Sequence, residues 1–242
     1  VIGPTQEITW STGAVDKTLD PAERPPNIVL ILADDLGWND LSMNGPNPTT
    51  QTPNIDALAA QGVTFSQGYA ANASCAPSRA ALMSGRYATR FGFEFTPTPP
   101  GMIPITNMIG EMQDRPLLPP GVTSSEESTL TYPEMAMPPS EITLAELIAD
   151  GGYHTLHIGK WHLGLEKGTL PHEQGFAESL LRVGGLYGRL DDPDVIQARQ
   201  EFDPIDRFLW AATGLSARFN GGPLFEPPKY LTDYYTDEAV KA

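Results

Sequence analysis

Residues able to do chemistry fall into three short clusters, each directly after a predicted strand or at the start of a predicted helix. The first is the acidic pair Asp34-Asp35, which follows an apolar run. Adjacent carboxylates repel each other unless a proton or a cation lies between them. A hard divalent ion with oxygen ligands would relieve that repulsion, so the pair predicts a Ca²⁺ site, with Mg²⁺ as the other choice. The alternative is that one aspartate caps the turn at Gly37 while the other is solvated.

The second cluster surrounds the single cysteine, Cys75, in the run Cys-Ala-Pro-Ser-Arg that ends at Arg79. Pro77 predicts a helix start at this point. Backbone N–H groups at a helix start, with a guanidinium one turn further on, favour an anion. A lone cysteine is usually a small buried apolar residue. In this setting a reactive thiolate or a redox thiol are the other chemical interpretations.

The third cluster lies between Gly159 and Gly164 and holds Lys160 and His162 just after another predicted strand. A lysine and a histidine beside an anion site can bind the anion and move protons. The alternative is a lysine that extends its amine to solvent and a histidine that packs in the core. We interpret the remaining histidines as structural: His154, His157 and His172.

The elements that must position these clusters read as strand, loop, helix, strand in the first part of the chain. The aliphatic run 27–33 predicts a buried parallel strand. Thr52 and Pro53 then begin a helix that ends at Gly62, and residues 63–69 predict a second strand. This order predicts the α/β class, with a mixed, mostly parallel sheet flanked by helices. Ligands in such sheets bind beyond the carboxyl ends of the strands, where two of the three clusters fall.

Later segments extend the same pattern. Residues 94–139 are proline-rich and predict a long loop or insertion that lines a pocket. Thr143 and Glu146 form a capping-box signature for a helix that ends at 151–152, and residues 153–158 predict a strand. Further helices are predicted at about 205–215 and from Thr232 onward. We therefore divide the chain into an N-terminal arm, 1–26, and one catalytic domain, 27–242.

Composition excludes several classes of protein. With 15 Lys and Arg against 30 Asp and Glu, the formal net charge is −15. Nucleic-acid binding and a polybasic membrane anchor both need clustered cations, so we expect neither. Since no apolar run approaches the roughly 18 residues of a membrane span, we expect no such span and no leader in the given sequence. One cysteine excludes an internal disulfide.

Taken together, the clusters resemble the type I sulfatases of the alkaline phosphatase superfamily. The run from Cys75 to Arg79 is similar to the C-x-P-S-R signature of that family, and 159–164 is similar to its second signature. Residues 27–35 and 52–56 are similar to its opening strand and helix. Family members are longer than this chain, so the resemblance implies the N-terminal, nucleophile-bearing part of a sulfatase. A missing C-terminal half or a second chain would complete the site.

The resemblance implies a modified nucleophile and a metal site. A formylglycine-generating enzyme would oxidise Cys75 to Cα-formylglycine, and the hydrated aldehyde would attack the sulfur of the ester. Asp34, Asp35 and residue 75 would hold the divalent metal, Ca²⁺ or alternatively Mg²⁺, that activates the attacking hydroxyl.

The same resemblance assigns roles to the basic residues. Arg79 would stabilise the hydrate, and Lys160 would bind the sulfate group of the substrate. His162 would take the proton from the remaining hydroxyl, so that sulfate leaves and the aldehyde is restored.

The implied function is hydrolysis of an organic sulfate, an aryl or carbohydrate ester, by a periplasmic or secreted enzyme. Two alternatives stay open at this point. One is a phosphonate or phosphate ester hydrolase of the same superfamily. The other is a truncated product that binds an oxyanion without turnover.

Overall fold

The structure is a computed structural model that describes residues 1–11, 13, 20, 22–45, 50–97, 131–185 and 214–242. A four-stranded sheet has the spatial order β1-β2-β3-β4, with β1 at Leu156–Gly159, β2 at Glu178–Gly184, β3 at Ser216–Phe219 and β4 at Leu224–Phe225. β1 and β2 are parallel, whereas β2–β3 and β3–β4 are antiparallel. The sheet is therefore mixed, as predicted, but in the described residues it is not mostly parallel. Only β1 and β2 form a parallel ladder, and an isolated parallel bridge joins Gly3 to Phe225.

In the described parts of the chain the helices are α1 at Pro53–Gln61, α2 at Cys75–Ser84, α3 at Leu144–Asp150 and α4 at Leu231–Lys241. Short 3₁₀ turns lie at Trp38–Asp40, Ser42–Asn44, Ala88–Phe91, Tyr132–Glu134 and Pro171–Glu173. The predicted α/β class is confirmed. No helix in the described parts of the chain is long and apolar enough to cross a bilayer.

The predicted capping box begins α3. Thr143 Oγ1 accepts a hydrogen bond from the N–H of Glu146 at 3.1 Å, and Glu146 Oε2 accepts one from the N–H of Thr143 at 2.6 Å. Thr143 is fully buried and also donates to the carbonyl oxygen of Gln174 at 2.8 Å. The helix ends just before Gly152, whose φ of +86° is strained for any residue with a side chain. This cap fixes α3 just before β1.

Two apolar clusters lie on opposite faces of the sheet. Leu180 and Leu181 are consecutive in β2, so their side chains point to opposite faces. Leu181 packs in a cluster with Ala76 and Ala80 of α2, whereas Leu180 packs in a cluster with Tyr234 of α4. The sheet is thus covered by α2 on one face and α4 on the other.

Residues 1–11, the first part of the predicted arm, add to the edge of the sheet. The N–H of Gly3 donates to the carbonyl of Leu224 at 2.8 Å, and the carbonyl of Gly3 accepts from the N–H of Glu226 at 3.1 Å. Ile8 is buried in the cluster on the α4 face. The start of the chain is therefore packed against the sheet rather than detached from it.

Two predicted strands are wrong in the described structure. Residues 28–32 form no ladder with any described segment, and they are 49–82% exposed. Residues 63–69 contain a turn instead, with Val63 and Phe65 about 80% exposed. A strand needs the backbone groups of a neighbour, and the described residues provide none here.

The remaining predictions have mixed outcomes. α1 is confirmed, although Ile55 and Leu58 on its apolar stripe are exposed. β1 is confirmed with slightly later bounds than predicted, and the terminal helix begins at Leu231. Of the proline-rich stretch, 98–130 lies outside the described residues, as does 205–213 of the predicted helix.

Candidate active site

The carboxylate of Asp34 is held by two cations from distant parts of the chain. Its Oδ1 accepts a hydrogen bond from Arg79 Nη2 at 3.0 Å, and its Oδ2 accepts one from Lys160 Nζ at 2.6 Å. Arg79 Nη1 also donates to the backbone carbonyl of Lys160 at 2.7 Å. Residues from all three clusters therefore meet at the Asp34 carboxylate, although up to 126 residues separate them in the sequence.

Charge explains the state of Asp34. Partial burial on its own would raise the pKa of this carboxyl, but the hydrogen bonds and positive charges of Lys160 and Arg79 together lower it. The carboxylate is 40% exposed, whereas the two cations are only 12% and 16% exposed. Asp34 is therefore ionised at neutral pH and offsets cations that are themselves mostly shielded from water.

Cys75 is the first residue of α2, as predicted. Ser74 precedes it in an extended conformation, and the N–H of Ser78 donates to the carbonyl of Ser74 at 3.1 Å, closing the first turn. The helix is fixed by small residues such as Ala76 and Ala80, which are fully buried against the sheet. Because Arg79 lies four residues after Cys75, the two side chains share a face of the helix.

The thiol of Cys75 is half-buried and lies 3.8 Å from the hydroxyl oxygen of Thr96. Its position at the first residue of a ten-residue helix places it among N–H groups that have no partner within the helix. These groups favour negative charge at the same spot. The local structure therefore suits a nucleophile that attacks a tetrahedral oxyanion.

His162 is held in a strained, neutral state. Its φ is +66°, in the left-handed region that residues with a side chain seldom adopt. Burial lowers its pKa to about 4, with further lowering by the charges of Lys160, Arg182 and Arg79, and Asp34 opposes the change. Its Nδ1 atom is buried with no hydrogen-bond partner among the described residues. A neutral imidazole at pH 7 can accept a proton.

Asp35 is the second site residue with a positive φ, at +57°, and its side chain is exposed. Strained backbone of this kind concentrates at functional sites. Asp35 and His162 are two of the three residues other than glycine with positive φ in the described structure. The strain thus marks two of the sequence-predicted positions.

The donor set for a divalent metal is incomplete in the described residues. No three His, Cys, Asp or Glu side chains among them are grouped closely enough to hold an ion. Both oxygens of Asp34 accept hydrogen bonds from cations, which leaves Asp35 as the main oxygen donor. Ca²⁺ takes six to eight oxygen ligands. These residues alone do not fit the metal, and a site at Asp34, Asp35 and Cys75 stays a prediction.

His157, one of the three histidines interpreted as structural, lies in an aromatic cluster. His157 packs edge-on against Trp161 and Phe176, with ring centroids 5.5 Å and 5.4 Å away. Burial lowers the pKa of His157 to about 4. The indole of Trp161 is anchored by a hydrogen bond to the carbonyl of Thr169 at 2.8 Å, which holds the segment that carries Lys160 and His162.

Two residues near the site were missed from the sequence. Thr96 contacts the sulfur of Cys75, and its place in the proline-rich stretch gave no signal. Arg182 lies in the last part of β2. Recognising 178–184 as a strand parallel to β1 would have identified Arg182, because residues at the carboxyl ends of parallel strands meet at one edge.

Comparison with known proteins shows similarity to sulfatases. The Sulfatase family model matches residues 26–241. The chain is 38% identical over 159 residues to N-acetylgalactosamine-6-sulfatase of Mus musculus, covering 65% of this chain and 25% of that protein. It is 41% identical over 155 residues to arylsulfatase A of Homo sapiens, covering 63% of this chain and 24% of that protein.

A solved structure is also similar. The crystal structure of Ps i-CgsB in complex with k-i-k-neocarrahexaose superposes with a TM-score of 0.61 at 29% identity. The superposition covers 90% of this chain and 41% of that one. The chain spans about a quarter of the length of the curated relatives it matches. Since the family model takes in all but the first 25 residues and the last one, this chain belongs to the sulfatase family.

Proposed function

We propose that this protein hydrolyses organic sulfate esters. The observation that carries the proposal is the convergence of Arg79 and Lys160 on Asp34, with Arg79 one helical turn after Cys75 on α2. Two shielded cations, a nucleophile position and a neutral imidazole form the set that an anionic ester needs for binding, attack and proton transfer. The relatives named above, which are sulfatases, support the choice of sulfate.

Residue 75 supplies the nucleophile in this proposal, after oxidation of the thiol to Cα-formylglycine by a formylglycine-generating enzyme. When present, the hydrated aldehyde supplies two hydroxyl groups on one carbon, one to attack sulfur and one to allow release of sulfate. The chain contributes a half-buried helix start, with the Thr96 hydroxyl oxygen 3.8 Å from the sulfur of Cys75.

The basic residues have three different roles in the proposal. Lys160 Nζ, which donates to Asp34 at 2.6 Å, can donate to a sulfate oxygen in the same position. Arg79 fixes the peptide of Lys160 through its carbonyl and keeps a second cation beside the nucleophile. His162 has a pKa of about 4, so its imidazole is neutral at pH 7, and the proposal assigns it as the acceptor of the proton from residue 75.

The proposal includes a divalent cation, Ca²⁺ or alternatively Mg²⁺, because of the carboxylate donors that the site offers. Asp34 and Asp35 carry hard carboxylate oxygens, which suit either ion. The described residues supply too few such oxygens to hold the ion alone. The roles given above to Arg79, Lys160 and His162 are therefore argued without the ion.

We propose a carbohydrate sulfate as the substrate, with aryl sulfates as the alternative. The support is the similarity to a structure solved with k-i-k-neocarrahexaose, which is a six-unit saccharide by its name. We also propose that the protein acts in the periplasm or is secreted, which fractionation of the natural source can test.

The first test combines the mass of the peptide that spans residue 75 with turnover by the natural full-length protein. We expect the thiol to be replaced by an aldehyde and an aryl sulfate to be hydrolysed faster than the matching aryl phosphonate. Cys75→Ala should abolish turnover, and Cys75→Ser should stop after one turnover because a serine ester cannot release sulfate as a hydrate can.

The control is Thr89→Ala, a change at an exposed position away from the site. A preference for the phosphonate would overturn the sulfate assignment. An unmodified thiol in a protein that turns over normally would overturn the role of residue 75.

A further inference from the structure

A third cation lies at the edge of the sheet where the candidate site is built. β1 and β2 run parallel with Gly159 beside Leu181, so the next pair along the register is Lys160 and Arg182. Lys160 therefore follows the end of β1 beside Arg182, which is still paired with Ala217 of β3 near the carboxyl end of β2. Ligands of parallel sheets bind at this edge.

Arg182 approaches that edge from the face opposite to α2. Leu180 packs on the α4 face, and Arg182, two residues later, shares that face because side chains alternate along a strand. Arg79 reaches the edge from α2, on the other face. The two arginines thus come to the site from opposite sides of the sheet, and one cannot substitute for the other.

The guanidinium of Arg182 has N–H donors without a partner among the described residues. Its hydrogen bond to the carbonyl of Gly185 spans 3.3 Å, and it forms no ion pair with any carboxylate of the described residues. A guanidinium has five N–H donors in a planar fork that matches carboxylate and sulfate oxygens. The half-buried side chain is therefore ready to take an anion.

The surroundings place this charge between two other groups. Arg182 is close enough to contribute to the lowered pKa of His162, and it also opposes the raised pKa of Tyr235 on α4. The hydroxyl oxygen of Tyr235 is buried without a hydrogen-bond partner among the described residues. An anion bound to Arg182 would lie within reach of the site that His162 serves.

We propose that Arg182 is a specificity-determining residue that binds a second anionic group, a sulfate or carboxylate, on the substrate. The scissile sulfate ester would lie at Cys75 and Lys160, and the second group would lie along the same sheet edge. The inference rests on the proposed function. It narrows the substrate class to organic sulfates that carry at least two negative charges.

The experiment measures binding in the natural full-length protein with Cys75→Ala, so that ligands are not turned over. The ligands are N-acetylglucosamine 6-sulfate and glucosamine derivatives with a second sulfate on nitrogen or on oxygen 3. Calorimetry gives the ratio of dissociation constants for each pair. We expect Arg182→Gln to weaken binding of at least one disulfated sugar about tenfold and of the monosulfated sugar far less. Arg182→Lys should restore part of the loss.

The matched control is Arg90→Gln, which removes the same charge from an exposed position. Equal losses for mono- and disulfated sugars, or no selective loss for any disulfated sugar, would overturn the proposal. Turnover of an aryl sulfate by the wild-type protein tests the proposed function separately. A protein without turnover whose disulfate selectivity still depends on Arg182 would refute sulfate hydrolysis and retain the second anion site.

Discussion

Two apolar segments of this chain have opposite environments. Residues 28–32 are 49–82% exposed, whereas Leu180 and Leu181 of β2 are 0% and 5% exposed. β2 pairs with a strand on each side and has a helix against each face. Residues 28–32 have no ladder partner among the described residues, and Asp34 just after them is held by Arg79 and Lys160 instead. Burial of a strand therefore depends on its neighbours, not on its own composition.

Truncating one side chain in each segment tests this contrast most strongly. Leu180→Ala should lower the free energy of unfolding by about 2–5 kcal/mol, because it leaves a cavity in a closed cluster. Ile31→Ala, at a residue that is 82% exposed, should change it by less than about 0.5 kcal/mol. Urea unfolding of the 242-residue chain measures both.

Leu180→Met serves as the control, since a volume-conserving change should cost less than about 1.5 kcal/mol. Similar losses for Leu180→Ala and Ile31→Ala would mean that residues 28–32 are buried as well, and the contrast between the two segments would disappear.

A second prediction concerns pH in the packed part of the chain. Burial lowers the pKa of His157 from 6.5 to about 4, so the unfolded chain binds a proton between these values that the folded chain does not. Stability should therefore fall as the pH is lowered from 6.5 towards 4, by on the order of 3 kcal/mol for this group. His157→Met, which fills the space without a titrating group, should remove that part of the dependence.

Urea unfolding at several pH values provides the measurement. His162 also has a pKa lowered to about 4, so the variant should keep the part of the slope that belongs to His162. An exposed histidine would contribute no such slope, and an unchanged pH profile for His157→Met would show that the ring is solvated in the folded chain.

The sequence was most informative where local chemistry decides the structure. The capping box at Thr143 and Glu146 and the helix start at Cys75 depend on residues a few positions apart, and both were predicted. The clusters at Asp34, Cys75 and Lys160 were also identified, because short motifs carry them. Their convergence on one carboxylate could be expected only from the general rule about strand ends.

The wrong strand predictions and the missed site residue have a shared physical cause. The runs 27–33 and 63–69 have strand-like composition, but a strand is stabilised by non-local partners that a local pattern does not contain. Arg182 was missed for the same reason, since its place at the site depends on the pairing of β2 with β1.

The smallest expected effect concerns the connection between the exposed segment and the packed one. Asp34→Asn removes the negative charge between Arg79 and Lys160, which should loosen residues 27–45. Because this carboxylate is 40% exposed, we expect a change of about 1 kcal/mol or less, equivalent to at most about fivefold faster local hydrogen exchange.

The exchange of β2 should not change, since none of its backbone pairing involves Asp34. Asp40→Asn is the matched control, because Asp40 Oδ2 accepts only a local hydrogen bond from the N–H of Gly37 at 2.7 Å. Equal effects of the two variants on 27–45 would show that the ion pairs do not hold this segment, and faster exchange in β2 would show that the two segments unfold together.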